Sequence, residues 1–392
     1  MKDSFDLLNY GYNPWSNYWK RNQSFFYHLS QQEFIGDSYF INAPVYLGDL
    51  FRTPWSQLKQ PKLSNWRGTI PYIHSGVKVV TPLQFPFAAR VPAIWHFGSS
   101  RFNRAINLRK ASKRIVIVNQ IGRLNKQWID SVWDQADMKI FDWSDDFRAF
   151  VSDPHIREDI DQTVEYFIRS ADLITTINDE LADRAAVLND NVSKIPNGTS
   201  FFVRQKNADM RAIDSLEGID GPIVGYVGWL NSLRIDQAIV RELLEKFPDV
   251  TFVFMGPSSE PAPLGDLPSR YSNLRILGPV AYDMLYKVYE YFSACILPNH
   301  VNEHTNGNDP IKLYDYLASG KPVISTATAG SERVVSCVSV VGSAPEFVQA
   351  LDSVLKGSDK GRESRVLLAT THCISNRADD FIALVKKGLD LD

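Results

Sequence analysis

Cysteine is scarce in this chain: three in 392 residues, at Cys295, Cys337 and Cys373. They are odd in number, far apart, form no CxxC pair and join no Cys/His cluster. That argues against a disulfide framework or a cysteine-held zinc, and for a reducing compartment. No apolar run approaches the ~20 residues that span a bilayer, and the opening MKDSFDLLNYGYNPW lacks the apolar core of a secretory signal. The expected location is therefore the cytoplasm. A strong charge of one sign is missing too: 42 Lys+Arg against 45 Asp+Glu give −3, which leaves no overall basic footprint for nucleic acid. There is no internal repeat and no low-complexity tract. With 44% hydrophobic and 22% charged residues, the composition is that of a globular protein long enough for two domains.

What is present is an alternation of strand and helix patterns, which predicts an α/β fold with parallel sheets. FDLLNYGYN reads as a strand, FFYHLSQQ as a helix and SYFINAPVYL as a second strand. VKVVTPLQF, PAIWHFG, RIVIVNQIG and MKIFDWS are further strands. Residues 157–188 have helical patterning, interrupted by LITTIN as a strand. KIPNG ends the first half in a turn. Residues 204–221 are polar and read as a linker. Beyond them PIVGYVGWL, VTFVFMG, NLRILGPV and CILPN are strands, and DQAIVRELLEKFP and MLYKVYEYFS helices. The expected division is 1–203, a linker at 204–221, 222–372, and a C-terminal helix within 373–392.

The richest stretch is NDPIKLYDYLASGKPVIST, residues 308–326. Asp309 suits an N-cap and Pro310 the first helical position. Gly320 suits the C-terminus, and Pro322 prevents extension. Leu313, Tyr314, Leu317 and Ala318 fall on one apolar face. Lys312 and Asp315, three apart, share the other. A helix beginning beside a polar loop with a cation, a carboxylate and free N–H groups suits a ligand carrying phosphate and vicinal hydroxyls. A surface Lys–Asp salt bridge is the plainer use of the same pair. Gly225 and Gly228, in GYVGW after a strand, would let backbone approach a diphosphate, with Trp229 and Arg234 close behind.

Pro310, Lys312, Leu313, Asp315, Tyr316, Leu317, Ala318, Gly320, Lys321, Pro322 and Val323 resemble the nucleotide-sugar segment P-x-K-L-x-E-Y-L-A-x-G-K-P-V of GT-B glycosyltransferases. The chain resembles bacterial polysaccharide, teichuronic-acid and xanthan glucuronosyltransferase-type enzymes. The resemblance implies two Rossmann-like domains facing across a cleft, with the C-terminal helix returning to the first. It implies a nucleotide-sugar donor, a UDP-sugar foremost, and a glycan or lipid-linked glycan acceptor in cell-surface polysaccharide synthesis. Donor contacts would come from Gly228, Trp229, Arg234, Asn308, Lys312 and Leu313, with Asp315 on the ribose and Val280 and Tyr282 at the nucleobase. No cofactor or metal is implied, because Lys312, Arg234 and backbone dipoles meet the phosphate charge. Retaining members carry two glutamates separated by seven residues. The second falls on Asp315, but the first falls on Gly307, so that role does not carry over and inversion is favoured.

An inverting enzyme needs a base for the acceptor hydroxyl. FDWSDDF offers Asp142, Asp145 and Asp146 at a strand end, where the resembled inverting enzymes place theirs. A surface acid cluster with helix caps is the competing use. His96 in IWHFGSS is a further base or sugar contact, or a structural histidine. Trp15, Tyr18 and Trp19 could stack on acceptor sugars or fill the core. The basic segment 101–114, RFNRAINLRKASKR, reads as a helix able to sit on anionic headgroups at the inner face of a membrane, or as a solvated face. Two other classes remain: a catalytically inactive GT-B relative that binds a glycan or a partner, and a nucleotide-sugar epimerase.

Overall fold

A computed structural model describes residues 4–12, 15, 20–43, 45–46, 77–80, 83–84, 113–122, 126, 129–130, 132–151, 153–201, 215–258, 260–280, 284–302, 305, 308–328, 330–357 and 359–391. The chain forms two compact units, Met1–Ile195 with Arg377–Asp392, and Pro196–Asn376.

In the first unit β1 (Phe5–Tyr10), α1 (Arg21–Ser30), β2 (Ile35–Ile41), β3 (Val45–Tyr46), β4 (Val77–Val80), β5 (Leu83–Gln84), β6 (Lys113–Val118) and β7 (Met138–Trp143) come first. They are followed by α2 (Pro154–Ser170), β8 (Leu173–Thr176), α3 (Asp179–Ala186) and β9 (Val192–Lys194). Seven strands make one parallel sheet in the order β4-β2-β1-β6-β7-β8-β9, and β3 pairs with β5. Strands buried on both faces read as continuous apolar runs, and KRIVIV and LITT do so. Of the basic segment 101–114, only Lys113 and Arg114 are described. They open β6, so the helix expected there does not reach its last two residues.

The second unit holds β10 (Ile223–Val227), α4 (Gln237–Lys246), β11 (Thr251–Met255), α5 (Leu267–Arg270), β12 (Leu274–Leu277), α6 (Leu285–Tyr291), β13 (Ala294–Leu297) and α7 (Ile311–Ser319). Then come β14 (Val323–Thr326), β15 (Ser339–Val341), α8 (Ala344–Lys356) and α9 (Arg362–Thr371). Its parallel sheet runs β12-β11-β10-β13-β14-β15. The order reverses between β10 and β13, the switch point beyond whose carboxyl ends open α/β sheets bind ligands. A last helix, α10 (Ile374–Gly388), ends in the first unit, where Phe381 stacks on Phe25 at 5.0 Å.

Glycines carry two different demands here. A Cβ at Gly225 would lie 1.9 Å from the Phe292 ring, so this glycine serves sheet–side-chain packing and not a phosphate. Gly228 has φ 152°, and a Cβ there would lie 2.6 Å from Lys312 Nζ. It is the residue that brings backbone and ammonium together.

Candidate functional site

α7 builds the site in the second unit. Its C-terminus follows the expected chemistry: Gly320 adopts φ 75°, and its carbonyl accepts from Arg365 Nε at 3.0 Å and Nη2 at 2.7 Å. Its N-terminus does not. The cap is Pro310, without a side-chain hydrogen bond. Asp309 instead turns inward, buried, and accepts from Tyr314 Oη at 2.8 Å and Asn197 N at 2.7 Å, with Arg333 at 3.8 Å. The competition was between a local cap and three other partners, Tyr314 five residues on and the more distant Arg333 and Asn197, and the partners won. Leu313 belongs to the hydrophobic core, and its N–H donates to Pro310 O, so neither its side chain nor its backbone donor faces a ligand.

The pair on the supposed polar face splits. Asp315, only 3% exposed, accepts from Thr199 Oγ1 at 2.5 Å. Lys312 is half-buried and makes no ion pair with it. Its Nζ donates to Tyr226 Oη at 2.6 Å and lies 4.1 Å from the centroid of that ring. Burial, reinforced by the nearby Arg234 guanidinium, holds the Lys312 ammonium well below its ordinary pKa. Burial pushes the Tyr226 phenol up to about 12, against an opposing pull from Arg234. The Tyr226 hydroxyl also donates to Trp229 O at 3.2 Å, tying Lys312 to the loop after β10. Tyr316 ties the middle of α7 to the same strand: Val227 N donates to its hydroxyl at 2.7 Å. Sequence reasoning missed both tyrosines. Tyr226 lies between Gly225 and Gly228 and was legible as a neighbour; Tyr316 was visible only as part of the resemblance.

Arg234, Asn299, Thr305, Asn308 and Thr328 line a small cavity with Lys312. Trp229 stands at the same strand end, 47% exposed. Val280 is half-buried against the core after β12. Tyr282 lies outside the described residues.

The first-unit acids divide three ways. Asp142, 1% exposed, accepts from Arg21 Nε at 2.9 Å and Nη2 at 2.8 Å, from Asn119 Nδ2 at 2.8 Å and from Thr175 Oγ1 at 2.7 Å. Arg21 also donates to Ile195 O and lies 4.4 Å from the Phe25 ring. With its oxygens taken by four donors, Asp142 is a packing hub and not a base for an acceptor. Asp146 caps the short helix Phe147–Phe150 and pairs with Arg184 at 2.8 Å, so it too is committed. Asp145 is half-buried, and its charge raises the pKa of Tyr12 next to burial, the larger cause. Trp15 is buried against Phe40 at 4.9 Å and Phe26 at 6.0 Å, which corrects its expected role as an acceptor platform. His96, Tyr18 and Trp19 lie outside the described residues. Among the described residues no three His, Cys, Asp or Glu side chains group as a metal site, and no helix is long and apolar enough to cross a membrane.

Residues 221–357 match the family described as Glycosyl transferases group 1. The chain is 28% identical over 261 residues, 61% of its length, to the putative teichuronic acid biosynthesis glycosyltransferase TuaH of Bacillus subtilis (strain 168); the match spans 64% of that relative. Among solved structures, the E. coli trehalose-6-phosphate structure bound with UDP-2-fluoro glucose superposes with a TM-score of 0.64 at 12% identity, covering 96% of this chain and 98% of that one. The α,α-trehalose-phosphate synthase (UDP-forming) of Burkholderia vietnamiensis gives 0.65 at 12% identity, covering 98% and 99%. Residues 221–357 thus resemble a group 1 glycosyl transferase domain, and the chain has the GT-B fold of two Rossmann-like, parallel-sheet domains.

Proposed function

We propose that this chain is a glycosyltransferase that moves a sugar from a UDP-sugar to a glycan or lipid-linked glycan acceptor in cell-surface polysaccharide synthesis. One observation carries the reading. Lys312 places an ammonium against the Gly228 backbone, beside Arg234, and among the described residues no carboxylate pairs with it. A half-buried cation without a counter-ion is costly in the empty protein, and a diphosphate at the strand ends would repay that cost. The names of the relatives support the finer points: teichuronic acid biosynthesis for one, a UDP-sugar ligand for another. Two cations suffice to offset the departing diphosphate, so the transfer is metal-independent. The backbone of Val280 borders the nucleobase. Asp315 meets the ribose only after exchanging its bond to Thr199 for one to the ligand. The protein works in the cytoplasm, at the inner face of the membrane.

The chemistry is inverting, with Asp145 as base. The acceptor hydroxyl loses its proton to the Asp145 carboxylate as its oxygen bonds the anomeric carbon. The bond from that carbon to the phosphate oxygen breaks, and UDP leaves with the electron pair. Asp145 takes the role as the least buried of the three strand-end acids. The decisive measurement is calorimetric titration of the protein with UDP, followed by product analysis with Asp145→Asn. UDP should bind both proteins equally, while transfer falls by roughly 10²–10⁴-fold in the variant. Full transfer by Asp145→Asn would move the base elsewhere. UDP binding without transfer by the unaltered protein, across acceptors, would favour a glycan-binding relative.

A further inference from the structure

At the switch point β10 and β13 part, and one hydroxyl stands where they separate. The two strands pair only at Val224–Ala294 and Gly225–Cys295. On its other edge β10 stays paired with β11 as far as Val227–Met255, and Gly228 N donates to Met255 O at 2.9 Å. Successive residues of a strand turn their N–H and C=O to opposite edges, so those of Val227 face the β13 side. Val227 is buried there beyond the last β13 pair, and both of its backbone groups need partners. Tyr316 supplies them. Val227 N donates to the Tyr316 hydroxyl at 2.7 Å, and that hydroxyl donates to Val227 O at 3.3 Å. Burial holds the phenol well above its ordinary pKa, so the donated proton stays in place. From α6 the Tyr289 ring meets the Tyr316 ring edge-on at 5.5 Å and backs it.

The two cations of the site are tied to different strands. Lys312 is tied to β10, through Tyr226 Oη at 2.6 Å. Arg234 is tied to the chain just past β13. His300 N donates to Arg234 O at 2.8 Å, Asp236 N donates to Pro298 O at 2.8 Å, and Ile235 bridges Asn299. The spacing of the cations therefore follows the spacing of the two strand ends. Tyr316 lies one turn along α7 from Lys312, on the same side of the helix, so one element carries both the ammonium and the hydroxyl at the parting.

We propose that Tyr316 is a positioning residue for the donor's diphosphate: by standing in for β13 along Val227 it fixes the spacing of Lys312 and Arg234 that the two phosphates require. The proposal rests on the UDP-sugar reading above and deepens it. Two anchored cations hold a diphosphate well over a narrow range of spacings, because hydrogen-bond geometry and Coulomb attraction both fall away with distance. A nucleoside without phosphate makes no use of that spacing.

The test is amide hydrogen exchange and calorimetric titration of the full chain with UDP, UMP and uridine, on the unaltered protein and on Tyr316→Phe. Coupling between two events is reciprocal. If the bonds between Tyr316 and Val227 favour the diphosphate, the diphosphate strengthens those bonds. In the unaltered protein UDP should therefore slow exchange of the Val227 amide, relative to other core amides, by roughly 3–10-fold more than uridine does at the same saturation. Tyr316→Phe keeps the ring and removes the hydroxyl. It should lose roughly 3–10-fold in affinity for UDP, one neutral hydrogen bond's worth, less for UMP and nothing for uridine. Equal losses for UDP and uridine would overturn the proposal by making Tyr316 a support of the whole unit, and an unchanged affinity for UDP would overturn it as well. If Tyr316→Phe does not fold, the exchange measurement on the unaltered protein decides: no added protection of Val227 by UDP over uridine sinks the proposal. Failure of UDP to bind the unaltered protein would overturn the nucleotide reading itself, and this inference with it.

Discussion

Both units bury an ionisable side chain near the carboxyl ends of their strands, and they treat it in opposite ways. In the first unit Asp142 meets a guanidinium, an amide and a hydroxyl. In the second unit Lys312 meets one phenol and the face of its ring, with another cation nearby. Complete pairing offsets the desolvation of a buried charge and fixes the strands and α1 that supply the partners. Incomplete pairing leaves the cost standing until a ligand arrives. The satisfied charge therefore marks architecture, and the incompletely paired one is where the proposed diphosphate would bind, although the strand-end position alone made both look functional.

The comparison breaks most readily at Asp142. Asp142→Asn keeps the volume but leaves Arg21 buried without its counter-ion. The expected cost is about 3–5 kcal/mol, a fall in melting temperature of roughly 6–20 °C for a unit of this size, read by chemical and thermal unfolding. Asp142→Leu combined with Arg21→Met should recover much of that loss, because it removes both charges together. A cost under ~1 kcal/mol for Asp142→Asn would show that the pair is dispensable to the fold and reopen a role in the reaction.

Lys312→Met should behave in the reverse manner. Binding of UDP-glucose should weaken by roughly 10–100-fold, the worth of a hydrogen bond from a charged group, while the ligand-free protein melts at the same temperature or higher. The pH dependence follows from the lowered pKa. The folded site holds this proton more weakly than the unfolded chain, whose value is near 10.5. The penalty is full below the folded pKa and fades as pH rises through the window up to 10.5, so the stability advantage of Lys312→Met shrinks with rising pH. Ligand affinity runs the other way: it is highest where Lys312 is protonated and falls as pH passes its folded pKa. UDP-glucose suits the measurement because each of its phosphates carries a single charge that does not titrate near neutrality. A variant that binds unchanged would detach Lys312 from the diphosphate.

Much of this was legible from local pattern. The apolar spacing of Leu313, Tyr314, Leu317 and Ala318, the stop at Gly320 and the βα alternation are short-range signals, and each reappears in the fold. The errors have one physical origin. Asp309, Asp315 and Asp142 take partners 112, 116 and 121 residues away in sequence, respectively Asn197, Thr199 and Arg21. Such pairings depend on how strands and helices stack, which a window of neighbouring residues does not contain. Helical periodicity placed Lys312 and Asp315 together on an outer face. In fact α7 is buried on nearly every side from Leu313 to Ser319, so no such face exists beyond its first turn.

The smallest effect is expected at Tyr226, and it probes how the incomplete pairing of Lys312 is held. Tyr226→Phe removes the acceptor at 2.6 Å and keeps the ring whose centroid lies 4.1 Å from the ammonium. If the hydroxyl positions Lys312 for the phosphates, UDP-glucose affinity at neutral pH falls by roughly 3–10-fold, one neutral hydrogen bond's worth. Loss of the acceptor also lowers the Lys312 pKa further, so the decline in affinity with rising pH begins earlier than in the unaltered protein. Simple loosening of β10 would weaken binding at all pH values alike and leave that onset in place. A gain in affinity would mean that the phenol competes with the diphosphate for the ammonium, and that the empty site is partly closed by its own tyrosine.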